Sequence, residues 1–225
     1  MGRARLDAEL RSLEQDLLKM GQRVEQAIRL AVQALAQQDA DLAQRIVETD
    51  VEINQMQRNL EERCHVLIAT QQPAAIDLRI ILSVVGIATD LERMGDHAEG
   101  IAKLAVILSQ EPLLKPLIDI PRMMEIACDM LRRELQAFVD RDAEAAQEVA
   151  ASDNDVDALY DQVFRELLVF MMNDPRTIRR ATYLLWVAHN LERVADRATN
   201  IGERVLFLVT GQVEELNPKR SPRRA

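Results

Sequence analysis

Aromatic side chains make up 3% of this 225-residue chain, and glycine and proline number seven each. Strand-rich folds draw on aromatic residues and on frequent turn residues, so this scarcity points away from a sheet. Cysteine is equally sparse: Cys64 and Cys128 both fall inside helical patterns, and the cytosolic compartment expected below argues against a disulfide framework and for two buried free thiols. No apolar run approaches the ~20 residues needed to cross a bilayer. The longest are 76–88, interrupted by Asp77, Arg79 and Ser83, and 181–188. The N-terminus has no apolar signal core, and Leu6 removes the myristoylation pattern that Met-Gly would begin. The expectation is a cytosolic, soluble globular protein.

Positive charge is also in deficit. A formal charge of −9 argues against duplex binding, whose affinity rests on neutralising phosphates. The basic run Lys219-Arg220-Ser-Pro-Arg223-Arg224 follows Pro218 and reads as a disordered tail over 216–225. A Gly-rich phosphate loop, a local Ser/His/Asp grouping and a zinc-type Cys cluster are all missing, so nothing supports enzyme activity.

What the chain has in abundance is helix. Apolar residues recur at Leu10, Leu13, Leu17, Met20, Val24, Ala27, Ala31 and Leu35, steps of three and four that predict a helix over about 7–37. Asp39 suits an N-cap for a second helix to about Thr70, and Pro73 breaks the chain before a third that runs to about Ser109. Pro112 and Pro116 mark a linker. Three more helices are expected over about 121–140, 142–172 and 175–210.

These three repeat the first three. Asp39-Ala-Asp-Leu-Ala43 matches Asp142-Ala-Glu-Ala-Ala146, Asp50 matches Asp153, Pro73 matches Pro175, and Leu91-Glu-Arg93 matches Leu191-Glu-Arg193. Turn and motif keep step, which unrelated low-complexity helices would not do. The fold expected is all-α: two tandem antiparallel three-helix bundles, six long helices in all, with halves at 1–110 and 117–215.

The chemistry-bearing segment also occurs twice, as Asp90-Leu-Glu-Arg-Met-Gly-Asp96-His-Ala-Glu99 and Asn190-Leu-Glu-Arg-Val-Ala-Asp196-Arg-Ala-Thr199. In each, Glu-x-x-x-Asp stacks two carboxylates on one helix face. With Glu192 at zero on an ideal helix, Asp196 falls near 40°, Glu203 near 20° and Asn200 near 80°, roughly. Arg193, Arg197 and Arg204 form the neighbouring stripe, and apolar residues fill the rest. An ordinary solvated helix alternates opposite charges at i,i+4, so this segregation points to a cation over the carboxylates. Oxygen ligands at that spacing suit Fe, Mn, Mg or Zn. The competing reading, at even weight on spacing alone, is a solvated acidic strip neutralised by arginines elsewhere.

In the first half the stripe is Glu92, Asp96 and Glu99, but Lys103 replaces Glu203 and Gly100 replaces Asn200. The second motif is therefore expected to hold metal more strongly. His97 and His189 lie near the stripes and read more readily as surface or satisfied histidines than as ligands. Glu62-x-x-His65 has the spacing of ferritin-like di-iron bundles but no second copy.

Gln71-Gln-Pro-Ala-Ala-Ile-Asp-Leu-Arg79, Asp90-Leu-Glu-Arg-Met-Gly-Asp-His97 and Ala188-His-Asn-Leu-Glu-Arg-Val-Ala-Asp-Arg-Ala-Thr-Asn-Ile-Gly-Glu203 resemble the PhoU family, cytoplasmic accessory proteins of phosphate-specific transport. These segments, their order and the turn prolines span nearly the whole chain apart from the tail. The resemblance implies two three-helix bundles, homodimerisation and metal clusters at the Glu/Asp-x-x-x-Asp motifs. It also implies a non-enzymatic role: restraint of the phosphate-starvation response through contact with a sensor histidine kinase and the phosphate ABC transporter ATPase, with membranes reached only through those partners. Carried over by position, the metal residues are Glu92, Asp96, Glu192 and Asp196, with Asn200 and Glu203 supporting the second motif. Family members often carry Asn and Glu where this chain has Gly100 and Lys103. A metal-dependent enzyme or metal store, and a metal-free helical scaffold, remain the alternatives.

Overall fold

The computed structural model describes residues 3–216. Three long helices lead the chain: α1 (Arg3–Gln37), α2 (Ala40–Gln71) and α3 (Ile76–Leu108). After the proline-containing linker come α4 (Asp119–Asp140), α5 (Ala143–Ala150), α6 (Asp153–Asn173) and, beyond a 3₁₀ turn at Pro175–Thr177, α7 (Ile178–Thr210). Among the described residues there is no strand.

The predicted punctuation is present. Asp39 caps α2 by accepting from the Leu42 amide at 2.9 Å, and Asp142 caps α5 by accepting from Ala145 at 3.0 Å. Each satisfies a donor that the first helical turn leaves without a partner. Gly211 ends α7 in the left-handed region, its amide bonded to the Phe207 carbonyl.

One helix departs from expectation. The span 142–172 is delivered in two pieces, α5 and α6, separated by Ala151 and Ser152. Ser, Asn and Asp compete for backbone groups with their side chains. Here Asn154 donates to the Ala151 carbonyl at 3.1 Å, and Ser152 turns its own amide to Val149 at 2.9 Å. With the two pieces counted as one, the plan is six helices in two bundles.

Within the first half α1, α2 and α3 pack on one another; within the second, α4, α5, α6 and α7 do. The halves meet where α3 lies antiparallel to α7 and α1 lies on α4, so the buried apolar residues form one continuous core. Close approach at these contacts demands small residues. A Cβ on Gly21 of α1 would fall 2.2 Å from Leu135 Cδ1 of α4. The linker is pinned as well: Gln38 donates to the Glu111 carbonyl at 2.6 Å, Arg180 donates to Pro112 at 3.0 Å, and Lys115 pairs with Glu166. Among the described residues no helix is long and apolar enough to cross a membrane. The basic run predicted as a disordered tail lies outside the described residues beyond Leu216.

Candidate functional site: two acidic stripes beside the α3–α7 seam

On α3, Glu92, Asp96 and Glu99 line one face, as helical periodicity requires. Arg93 donates to Asp96 at 3.2 Å and approaches Glu92 at 3.5 Å, while Lys103 pairs with Glu99 at 2.6 Å. The neighbouring helix contributes a fourth carboxylate. Asp50 of α2, steadied by Asn54 at 2.8 Å, faces the stripe. Burial, then the charges of Glu99 and Asp96, raises the proton affinity of Asp50; burial, then Asp96, raises that of Glu92, with Asp50 adding to it. The carboxylates of this group repel one another across two helices. Gly95 permits the approach, since a Cβ there would lie 3.1 Å from Ile53 and 3.4 Å from Asp50.

On α7, Glu192 and Asp196 occupy the corresponding face. Asp196 is held by Arg193, and Glu192 lies 3.2 Å from Nδ1 of His189. Glu192 also raises the Tyr160 hydroxyl, after burial, which places α6 beside this stripe. Asp153, the counterpart of Asp50, is buried at the start of α6.

The other two residues assigned to the second motif each have a hydrogen-bond partner of their own. Asn200 donates to Asp90 of α3 at 3.2 Å, and Glu203 accepts from the Leu216 amide at 3.2 Å. His97 is likewise in the seam rather than on the stripe, its Nδ1 2.9 Å from Oδ1 of Asn190. Burial holds its proton affinity below the usual histidine range, Asn190 opposing and Arg193 and Arg197 reinforcing that effect. Glu62 and His65 stand exposed on α2.

Among the described residues no group of three or more His, Cys, Asp or Glu side chains is placed to hold a metal ion. The arrangement is two open walls of oxygen donors, each with an arginine at its edge. Hard and borderline cations accept such donors. A cation over Glu92, Asp96 and Asp50 would relieve the mutual repulsion that raises Asp50 and Glu92.

Asp50 was legible only through the register of the duplication, where it matches Asp153; its position facing α3 was not. Asp90, which accepts from both Arg197 and Asn200, carried no signal beyond its place in the motif.

The chain matches the PhoU domain twice, over residues 17–105 and 120–205. It is 41% identical over 206 residues to the phosphate-specific transport system accessory protein PhoU homolog of Pseudomonas putida, covering 91% of this chain and 80% of that protein. The homolog so named in Aquifex aeolicus is 40% identical, over 93% and 95% of the two chains. The crystal structure of PhoU from Pseudomonas aeruginosa superposes with a TM-score of 0.87 at 40% identity, covering 92% of this chain and 99% of that one. The phosphate transport system regulatory protein PhoU of Streptococcus pneumoniae gives 0.87 at 35% identity, over 93% and 99%.

Proposed function

This chain belongs to the PhoU family, and on that footing we propose that it is a cytoplasmic regulator of phosphate uptake that restrains the phosphate-starvation response. It acts by contact, without catalysis, on a sensor histidine kinase and on the ATPase of the phosphate ABC transporter, as a homodimer whose halves, 1–110 and 117–215, are two PhoU-like units. The observation that carries the reading is the doubled domain match over nearly the whole chain, together with relatives named as accessory and regulatory proteins.

The acidic walls support metal binding as part of this role. Glu92 and Asp96, joined by Asp50, would hold one ion or group of ions, and Glu192 and Asp196 another; Fe, Mn, Zn and Mg all suit carboxylate donors. Bound metal would supply fixed positive charge at the surface. The protein's own part is to hold the carboxylates in place through Asn54, Arg93 and Arg193.

The second motif is the tighter of the two: Asn200 and Glu203 add oxygen donors to it, whereas Lys103, paired with Glu99 at 2.6 Å, keeps a positive charge beside the first.

The test is genetic. In a bacterium lacking its own relative of this protein, the chain should silence a phosphate-starvation reporter when phosphate is plentiful. Replacing Glu192 and Asp196 together by Ala should keep the helical circular dichroism, lower the metal content and release the reporter. Full repression by this double variant would reduce the stripe to a structural feature.

A further inference from the structure

Glu134 of α4 is fully buried, and neither of its carboxyl oxygens has a hydrogen-bond partner. It stands against Gly202 of α7, where a Cβ would fall 2.7 Å from Oε1 and 2.9 Å from Oε2. Glycine at 202 makes the room that the carboxyl occupies. An acid in such a place costs free energy that a hydrocarbon side chain would not.

The duplication supplies an internal control. At the spacing of 103 that relates Asp39 to Asp142, Glu134 corresponds to Ala31; at the spacing of 100 that relates Leu91 to Leu191, Gly202 corresponds to Ala102. Both alanines are fully buried. Where the first bundle places two methyl groups, the second sets a carboxylic acid against a glycine. The bundle therefore folds without the acid.

Neighbouring charges do not neutralise it. Among the described residues Arg133, exposed on α4, is the one group whose charge acts on Glu134, and burial outweighs it, pushing the pKa up to about 9. The ionic groups of α1 reach the ends of α4, Arg29 at Glu125 and Glu14 at Arg141. Beside Gly202 on α7, Glu203 accepts from the Leu216 amide and Arg204 lies exposed near Gly86 of α3. Glu144 and Glu148 of α5 are exposed, and Asp153 of α6 is buried at the start of its helix. At neutral pH the closed layer holds Glu134 with its proton.

The chain is built to let this layer open by itself. Helix α5 has eight residues, packs on both α4 and α7, and ends at the Ala151–Ser152 break. Its counterpart in the first half is the opening part of a continuous 32-residue helix, α2. The break allows α4 and α5 to leave α7 without carrying α6 along, a cooperative unit smaller than the whole protein. Once separated, Glu134 meets water, where a glutamic acid gives up its proton at roughly pH 4.3. Each opening at neutral pH then releases one proton to solvent, and a rise in pH favours it.

We propose that α4 and α5 form a proton-coupled latch on α7: protonated Glu134, seated on Gly202, keeps the second bundle closed, and loss of that proton to solvent accompanies its opening. The latch goes beyond the contact role proposed above and does not depend on it.

The test is native-state hydrogen exchange of the full chain, read by mass spectrometry. Over roughly pH 6 to 8.5, and after correction for the intrinsic exchange rate, protection of the amides of α4 around Glu134 and of α7 around Gly202 should fall about tenfold per pH unit. The amides of α1 around Ala31 should show no such slope. Glu134→Gln and Glu134→Met should each flatten the profile of α4, the second serving where the first does not fold. A flat profile in the unaltered chain, or a slope that survives in a folded Glu134 variant, overturns the proposal. So does an equal slope in α1, since the proton would then be released only when the whole chain unfolds.

Discussion

His97 Nδ1 lies 2.9 Å from Oδ1 of Asn190, and the residues one hundred positions away in each direction form the same kind of link: Arg197 donates to Asp90 at 3.2 Å. The two links tie α3 to α7 on either side of their crossing, one using an imidazole and an amide, the other a guanidinium and a carboxylate. The duplication has kept the geometry and changed the chemistry. Gly100 and Asn200 show the same exchange: Asn200 reaches Asp90, whereas Gly100 leaves Asn190 only 3.3 Å from where a Cβ would stand.

Asp90 should be the more costly half of the seam to alter. It is 6% exposed and accepts from two side chains, so Asp90→Ala leaves the Arg197 and Asn200 donors without their acceptor. A loss of about 1–3 kcal/mol in denaturant unfolding is expected. Combined with Asn200→Ala, the losses should fall short of additive by at least about 0.5 kcal/mol. Simple additivity would show that the two side chains do not interact in solution.

Glu134 sets a pH dependence. Its carboxyl is fully buried on α4 against Gly202 of α7, both oxygens lack a hydrogen-bond partner, and burial pushes its pKa up to about 9. Between the unfolded value, roughly 4.3, and the folded one, the folded chain holds a proton that the unfolded chain has released. Its contribution to stability therefore falls as pH rises through that window and levels off above it. Glu134→Met, similar in shape and without the charge, should be more stable than the parent at pH 7 by about 3–4 kcal/mol. That gap should widen between pH 5 and pH 9, on the order of that window. A constant gap across the window would mean the group is hydrated or paired in solution.

Gly202 belongs to the same contact. A Cβ there would fall 2.7 Å from the Glu134 carboxyl, so Gly202→Ala should lower the melting temperature through overpacking, by about 1–3 kcal/mol in stability terms. Shortening the opposing side chain with Glu134→Ala should recover part of the loss. Absence of rescue in thermal melts would place the clash elsewhere.

Metal content should follow the charge at the ends of the stripes. Lys103 pairs with Glu99 at 2.6 Å and puts a positive charge beside the first group. Lys103→Glu should raise the metal bound there, and Asp50→Asn should lower it, as read by anomalous scattering from crystals soaked in iron, manganese or zinc. Glu203→Lys tests the sequence argument for the second motif: metal beside Glu192 and Asp196 that survives this change shows that Glu203 has no part in holding it.

Cys64 and Cys128 should be silent towards thiol reagents in the native state. Both are buried and free, and burial raises each thiol to about 12. Labelling should proceed at the rate of unfolding and quicken in denaturant. Prompt reaction of either thiol under native conditions would mean that its helix opens locally.

Much of the architecture could be read before any coordinates. The apolar seam of α1, the caps at Asp39 and Asp142, the break at Pro73 and the burial of both cysteines follow from local rules about periodicity and chain ends, and all are present. The interruption at Ala151–Ser152 was missed because apolar spacing runs through it. Only the hydrogen bonds of Ser152 and Asn154 reveal that the backbone has been diverted.

The candidate site divides along the same line. The sequence by itself determined that Glu92 shares a face with Asp96, and Glu192 with Asp196, because four residues of helix return a side chain to nearly the same direction about its own axis. It could not determine what stands opposite that face, since this depends on the height and rotation of neighbouring helices, fixed by packing across the whole core. Only the tertiary structure placed Asp50 against the first stripe, turned Asn200 to Asp90, gave Glu203 to the Leu216 amide and drew His97 into the seam with Asn190. A helix's own period sets where its residues point; the packing of the seven α-helices among the described residues sets what they meet.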